Sequence, residues 1–71
     1  ENLLVIREDA ARLIAGIEAL PAPQREAVLL KQEAGMSLEE IAALTGVNTE
    51  TVKSRLRYAV RKLKQVMRHA N

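Results

Sequence analysis

Two helix-start signals stand eleven residues apart in this chain with a helix stop between them, and that arrangement leaves few folds open. Ser37 is followed three residues later by Glu40. This is the spacing of a capping box, in which the serine hydroxyl accepts from a first-turn N–H and the glutamate reaches back to the cap's own N–H. Leu38, Ile41, Ala42 and Thr45 then fall on one face at helical spacing. Gly46 can stop the helix, because glycine enters the left-handed region without a Cβ clash. Val47 is the apolar residue of the turn, and Asn48 is the next N-cap. Two capped helices joined by a turn containing glycine make a helix-turn-helix, predicted here over 38–45 and 49–68.

The second of these helices divides into two faces. Val52, Leu56, Ala59, Leu63 and Met67 form one apolar stripe, which Val60 and Val66 are expected to widen. The opposite face carries Glu50, Ser54, Arg57, Tyr58, Arg61 and Gln65, with Lys53 and Lys64 on its shoulder. Arginine and lysine neutralise phosphates and read guanine edges in the major groove. Serine and tyrosine supply neutral contacts to phosphate, sugar or base. Glu50 on this side either accepts from a cytosine amino group or repels phosphate, and so tunes specificity more than it adds affinity.

Charge is distributed in the same sense. All nine acids lie in residues 1–50 with four of the eleven bases, a net of −5, whereas residues 51–71 hold seven bases and no acid, a net of +7. The overall +2 hides this asymmetry, which points one end of the chain at an anion. A solvated basic helix is the plainer reading, since the helix dipole favours cations near a C-terminus. It covers Lys64 and Arg68 but not Lys53, Arg55 and Arg57, which stand near the N-terminal end. A helix lying on a membrane surface would need its apolar face to insert, and here that face is required for the core.

The rest of the chain reads as support. Residues 9–19 form a first helix, with Ala10, Leu13, Ile14 and Ile17 at helical spacing and Gly16 weakening it modestly. Its start can lie several residues earlier. The run Leu3–Ile6 either extends that helix onto this domain or belongs to a linker that docks on a partner or mediates self-association. Pro21 and Pro23 break the chain, and Pro23 suits the first turn of a second helix, 23–34. Ala27, Leu30 and Ala34, joined by Val28 and Leu29, are its expected inner side, and Gly35 ends it. Lys31 is a candidate phosphate contact beside the docked helix. Ser37 is a cap first and a phosphate contact second. Arg55, near the edge of the stripe, is expected to pair with Glu39 or Glu40 and brace the two helices. His69 at the terminus is neither catalytic nor a metal ligand.

Seventy-one residues make one small domain with a thin core. The absence of cysteine rules out a disulfide staple and fits a reducing cytoplasm. A single aromatic residue gives no stacking platform for single-stranded bases. No apolar run approaches the roughly 20 residues of a membrane span, and no signal peptide is visible. The chain opens on Glu1 rather than methionine, so it is expected to be the tail of a longer protein. No paired carboxylates, Ser-His-Asp set, phosphate-binding glycine loop or metal-ligand spacing supports an enzyme, a cofactor or a small-molecule substrate.

One run resembles a known family. It starts at Leu20-Pro21 and continues through Arg25, Leu29, Gly35, Ser37, Glu40-Ile41-Ala42, Gly46, Thr51-Val52, Ser54-Arg55, Ala59 and Leu63, about two-thirds of the chain. These residues look like region 4, the C-terminal DNA-binding domain, of a bacterial sigma factor of the extracytoplasmic-function (ECF) group. Thr51-Val52-Lys53-Ser54-Arg55 after the cap is its most specific part. Family members often carry basic residues where this chain has Tyr58 and Val60.

The fold expected is all-α, four helices ending in a helix-turn-helix without a wing. The last helix inserts its N-terminal half into the major groove of double-stranded DNA. Lys53, Ser54, Arg57 and Tyr58 lie nearest bases or phosphates. Asn48, Thr49 and Thr51 anchor phosphates at the helix start, and Arg61 follows the groove wall. The resemblance further implies recognition of the −35 promoter element, docking on the flap of the RNA polymerase β subunit, and sequestration by an anti-sigma factor. Two other readings stand beside it. The effector domain of a LuxR-type response regulator has a similar Glu-Ile-Ala…Thr-Val-Lys pattern, though Ser54-Arg55 and the long basic last helix depart from it. A helical adaptor meeting an acidic partner predicts no DNA binding at low salt.

Overall fold

The computed structural model describes residues 3–68. Four helices follow one another: α1 (Leu3–Glu18), α2 (Ala22–Gln32), α3 (Leu38–Thr45) and α4 (Thr49–Arg68). Among the described residues all regular structure is helical, and no helix is long and apolar enough to cross a membrane. His69 lies outside the described residues.

The helix-turn-helix follows its caps. The Ser37 Oγ accepts from the Glu40 N–H at 3.1 Å, and the Ser37 N–H donates to Glu40 Oε1 at 2.8 Å. Gly46 takes φ 73°, and its N–H and that of Val47 both donate to the Ala42 carbonyl, at 2.9 and 3.1 Å. Asn48 Oδ1 then accepts from the Thr51 N–H at 2.8 Å, opening α4. Each bond satisfies a backbone group that a helix end leaves without a partner.

α2 begins at Ala22, one residue earlier than expected, after Pro21 in an extended conformation. It ends at Gln32 rather than Ala34. Beyond it the Ala34 N–H reaches back to the Leu29 carbonyl and the Met36 N–H to that of Leu30, through Gly35 at φ 67°. These wider loops unwind the last turn, so Ala34 is exposed instead of lining the core.

α4 is the central element and packs on all three other helices. Leu20, Val28 and Ala59 form one buried cluster, and Ile41, Ala42 and Val52 form another. Leu56 touches both and joins them. Val52 and Ala59, one turn either side of Leu56, are completely buried. Val66 is half-buried as expected, but Val60 is 48% exposed and does not belong to the stripe. At about 100° per residue it stands some 80° from Val52, at the margin of the buried side of α4.

α1 departs most from expectation. It starts at Leu3, six residues before Asp9, so the run Leu3–Ile6 extends the helix as one of its two readings had it, but its side chains are exposed rather than packed on the domain; the helix ends one residue before Ala19. Its packing face is turned from the expected stripe and overlaps it only in part: Ile17 is half-buried, whereas Leu13 and Ile14 are exposed. Gly16, the buried residue of α1, lies against α4. A Cβ there would stand 3.1 Å from Leu63 Cδ2 and 3.6 Å from both Val66 methyls. The missing side chain lets α1 approach closely along this line. Ile14, about 160° further round the helix, is thereby turned outward.

Candidate nucleic-acid interface

With Val52, Leu56 and Ala59 held inside, the opposite side of α4 is left to solvent. Lys53, Ser54, Arg57, Tyr58 and Arg61 are all exposed there. The expected base- or phosphate-proximal set therefore shares one surface of one helix. Two hydrogen bonds order part of it. Lys53 Nζ donates to Glu50 Oε2 at 3.3 Å in an exposed ion pair, and Arg57 Nη2 donates to Ser54 Oγ at 3.3 Å. Both link residues three apart, which are neighbours on a helix surface. Neither link was drawn from the sequence, although the spacing of each is legible in it.

At the start of α4, Asn48 is exposed and Thr49 and Thr51 are half-buried. The Asn48 side-chain oxygen is committed to the cap. The Ser37 Oγ likewise accepts from Glu40, so only its own O–H remains to donate to a phosphate. Lys31 is exposed in the last turn of α2, on a different helix from the main set, and makes no ion pair among the described residues.

The expected brace from Arg55 to Glu39 or Glu40 is absent. Among the described residues the ion pairs are Arg12–Asp9 and Lys53–Glu50. The Glu40 carboxylate is already held by the Ser37 N–H, and Glu39 is exposed. Arg55 is half-buried on the flank of α4 and has no carboxylate partner among the described residues.

On the other flank, Arg57, Arg61 and Lys64 rim an open groove of about 430 Å³ floored by Leu56 and Val60. The cations continue along α4 to Arg68, where a 20-residue helix has travelled about 30 Å. A major groove about 12 Å wide accepts only the first turns of such a helix. Among the described residues no cluster of three metal-ligating side chains occurs. The arrangement therefore offers positive charge and hydrogen-bond donors on a convex helix, the form that enters a nucleic-acid groove.

The comparisons with known proteins agree with this geometry. The family described as "Sigma-70, region 4" matches residues 10–63. The ECF RNA polymerase sigma factor SigD of Mycobacterium tuberculosis is 34% identical over 64 residues, covering 90% of this chain and 30% of that protein. The ECF RNA polymerase sigma factor EcfG of Rhodopseudomonas palustris is 40% identical over 53 residues, covering 75% of this chain and 29% of that protein. No solved structure matches the chain. The chain thus spans about 30% of the length of the curated relatives it matches. The match covers most of the chain and includes the helix-turn-helix, which decides against the response-regulator reading: the chain belongs to the sigma-70 region 4 family, as the DNA-binding region 4 of an ECF sigma factor.

Proposed function

We propose that this domain recognises the −35 element of bacterial promoters by laying the N-terminal half of α4 in the major groove. The observation that carries the reading is the division of α4. Val52 and Ala59 are sealed in the core, while Lys53, Ser54, Arg57, Tyr58 and Arg61 stand together in solvent. Lys53, Ser54, Arg57 and Tyr58 are the residues nearest the bases. Asn48, Thr49, Thr51 and Ser37 take phosphates at the helix starts, Arg61 follows the groove wall, and Lys31 takes a phosphate from α2. No step of chemistry is required of the domain, and its site of action is the cytoplasm.

A second surface supports docking on RNA polymerase. Leu3, Ile6 and Ile14 on α1 and Leu29 on α2 are exposed, and Ile14, Ile17 and Leu29 line a shallow groove between the two helices. Glu18, Arg25 and Glu33 line the same groove, and exposed apolar side chains rimmed by polar ones support an interaction site. We assign it to the flap of the β subunit, with an anti-sigma factor as the partner that covers the domain when transcription is off. A helix with few base contacts binds DNA weakly alone. Attachment to polymerase raises its effective concentration at the promoter.

The test is the salt dependence of duplex binding. Neutralising about three phosphates with Lys31, Arg57 and Arg61 gives a log–log slope of about −2.7. A flat response would remove groove docking as the mechanism. An absence of binding even at low salt would favour the adaptor reading.

A further inference from the structure

The DNA-facing side of α4 contains one acid, and it is placed against a cation of that same face. Glu50 is the only acidic residue of α4. Its Oε2 lies 3.3 Å from Lys53 Nζ. In helical projection it falls within about 40° of Ser54, Arg57 and Arg61. A carboxylate aimed at a polyanion opposes binding. One that only served the helix dipole would do so equally well on a side turned away from DNA.

The two links on this face differ in their effect on charge. Ser54 holds Arg57 through a neutral hydroxyl, so Arg57 keeps its full positive charge. Glu50 holds Lys53 through a carboxylate, so an approaching phosphate meets a pair with no net charge. Phosphate-driven, sequence-independent affinity arises from release of counter-ions as protein cations replace them. A lysine that brings its own counter-ion contributes little to that release.

We infer that Glu50 is a positioning residue that acts as an internal counter-ion to Lys53 and suppresses non-specific DNA binding. The inference rests on the DNA-reading role of α4. Lys53 is thereby withheld from indiscriminate phosphate contact. Discrimination falls to neighbours that keep their charge or carry none, Arg57, Ser54 and Tyr58. The apparent affinity for arbitrary sequence is set lower than the number of exposed cations would give.

The experiment uses the 71-residue chain and a random-sequence 20-base-pair duplex, with binding measured by fluorescence anisotropy between 20 and 200 mM salt. Glu50→Gln, Lys53→Gln and the double variant are compared with the unaltered chain, each checked by circular dichroism for retained helix. Glu50→Gln is expected to steepen the log–log slope by about 0.9 and to tighten binding about eightfold at 0.1 M salt, the contribution of one added phosphate contact. Lys53→Gln is expected to weaken binding in the unaltered chain with little change of slope, because it uncovers the Glu50 carboxylate, whereas in the Glu50→Gln background it removes the whole gain in slope. If Glu50→Gln leaves the slope unchanged, or if Lys53→Gln has the same effect in both backgrounds, the counter-ion role is wrong while the DNA reading stands. An unaltered chain that binds no duplex at 20 mM salt overturns both.

Discussion

Gly16 of α1 lies against Leu63 of α4 with room for a hydrogen and little more: a Cβ at position 16 would stand 3.1 Å from Leu63 Cδ2. This approach fixes which side of α1 meets the last helix. It also turns Ile14 to the outside.

Enlarging that contact should therefore separate the helices. Gly16→Leu is expected to lower stability by about 1–3 kcal/mol through overpacking. Thermal unfolding should show a drop of about 4–8 °C for each kcal/mol in a domain of this size. Gly16→Ala should be close to neutral. Its gain in helix propensity of about 1 kcal/mol offsets the few tenths of an ångström that the flexible end of Leu63 must yield.

The core predicts a contrast within α3. Ile41 is 1% exposed and belongs to the cluster with Val52, whereas Leu44 on the same short helix is 64% exposed. Ile41→Ala is expected to cost about 2–5 kcal/mol, enough to unfold much of so small a domain. Leu44→Ala should stay within about 0.5 kcal/mol. Urea titrations of the two variants would show the difference, and equal midpoints would contradict this packing.

The caps separate stability from binding. Ser37→Ala removes the acceptor for the Glu40 N–H and Asn48→Ala the acceptor for the Thr51 N–H. Each should cost about 1 kcal/mol in urea unfolding. Where the variants remain folded, Asn48→Ala should weaken duplex binding more than Ser37→Ala, because the Asn48 cap opens the helix that enters the groove.

The cationic face predicts a graded loss. Arg57→Gln should shallow the salt slope of duplex binding by about 0.9 and weaken binding on every sequence. Ser54→Ala should weaken it less, acting through the orientation of Arg57. In an Arg57→Gln background Ser54→Ala should lose most of its effect, which a double-variant comparison reads directly.

Much of this architecture is legible in the residues. α3 and α4 begin and end where Ser37, Gly46 and Asn48 place them, because caps act locally and need no tertiary information. α1 is another matter. Its start lies in the apolar run Leu3–Ile6, which has no single periodicity, and its face is chosen by the absence of an atom at Gly16 rather than by its apolar stripe. Glycine inside a helix reads as a weakness until a neighbour is seen against it. Spacing alone puts Val60 in the stripe, because hydrophobic periodicity does not show how far round a helix its neighbours reach. The bond of Arg57 to Ser54 and the pairing of Lys53 with Glu50 are local and were available at i,i+3 spacing. Arg55 makes no ion pair with Glu39 or Glu40: Glu40 stays engaged in the capping box legible in the sequence, and Glu39 stays in solvent.

The central claim is that DNA meets α4 while the apolar side of α1 and α2 stays available for polymerase. An NMR titration of the labelled chain with a duplex at low salt reads both surfaces at once. The account predicts shift changes concentrated between Asn48 and Arg61, with Leu3, Ile14 and Leu29 unmoved. Changes centred on α1, or spread evenly over the basic end without regard to the two faces of α4, would contradict it.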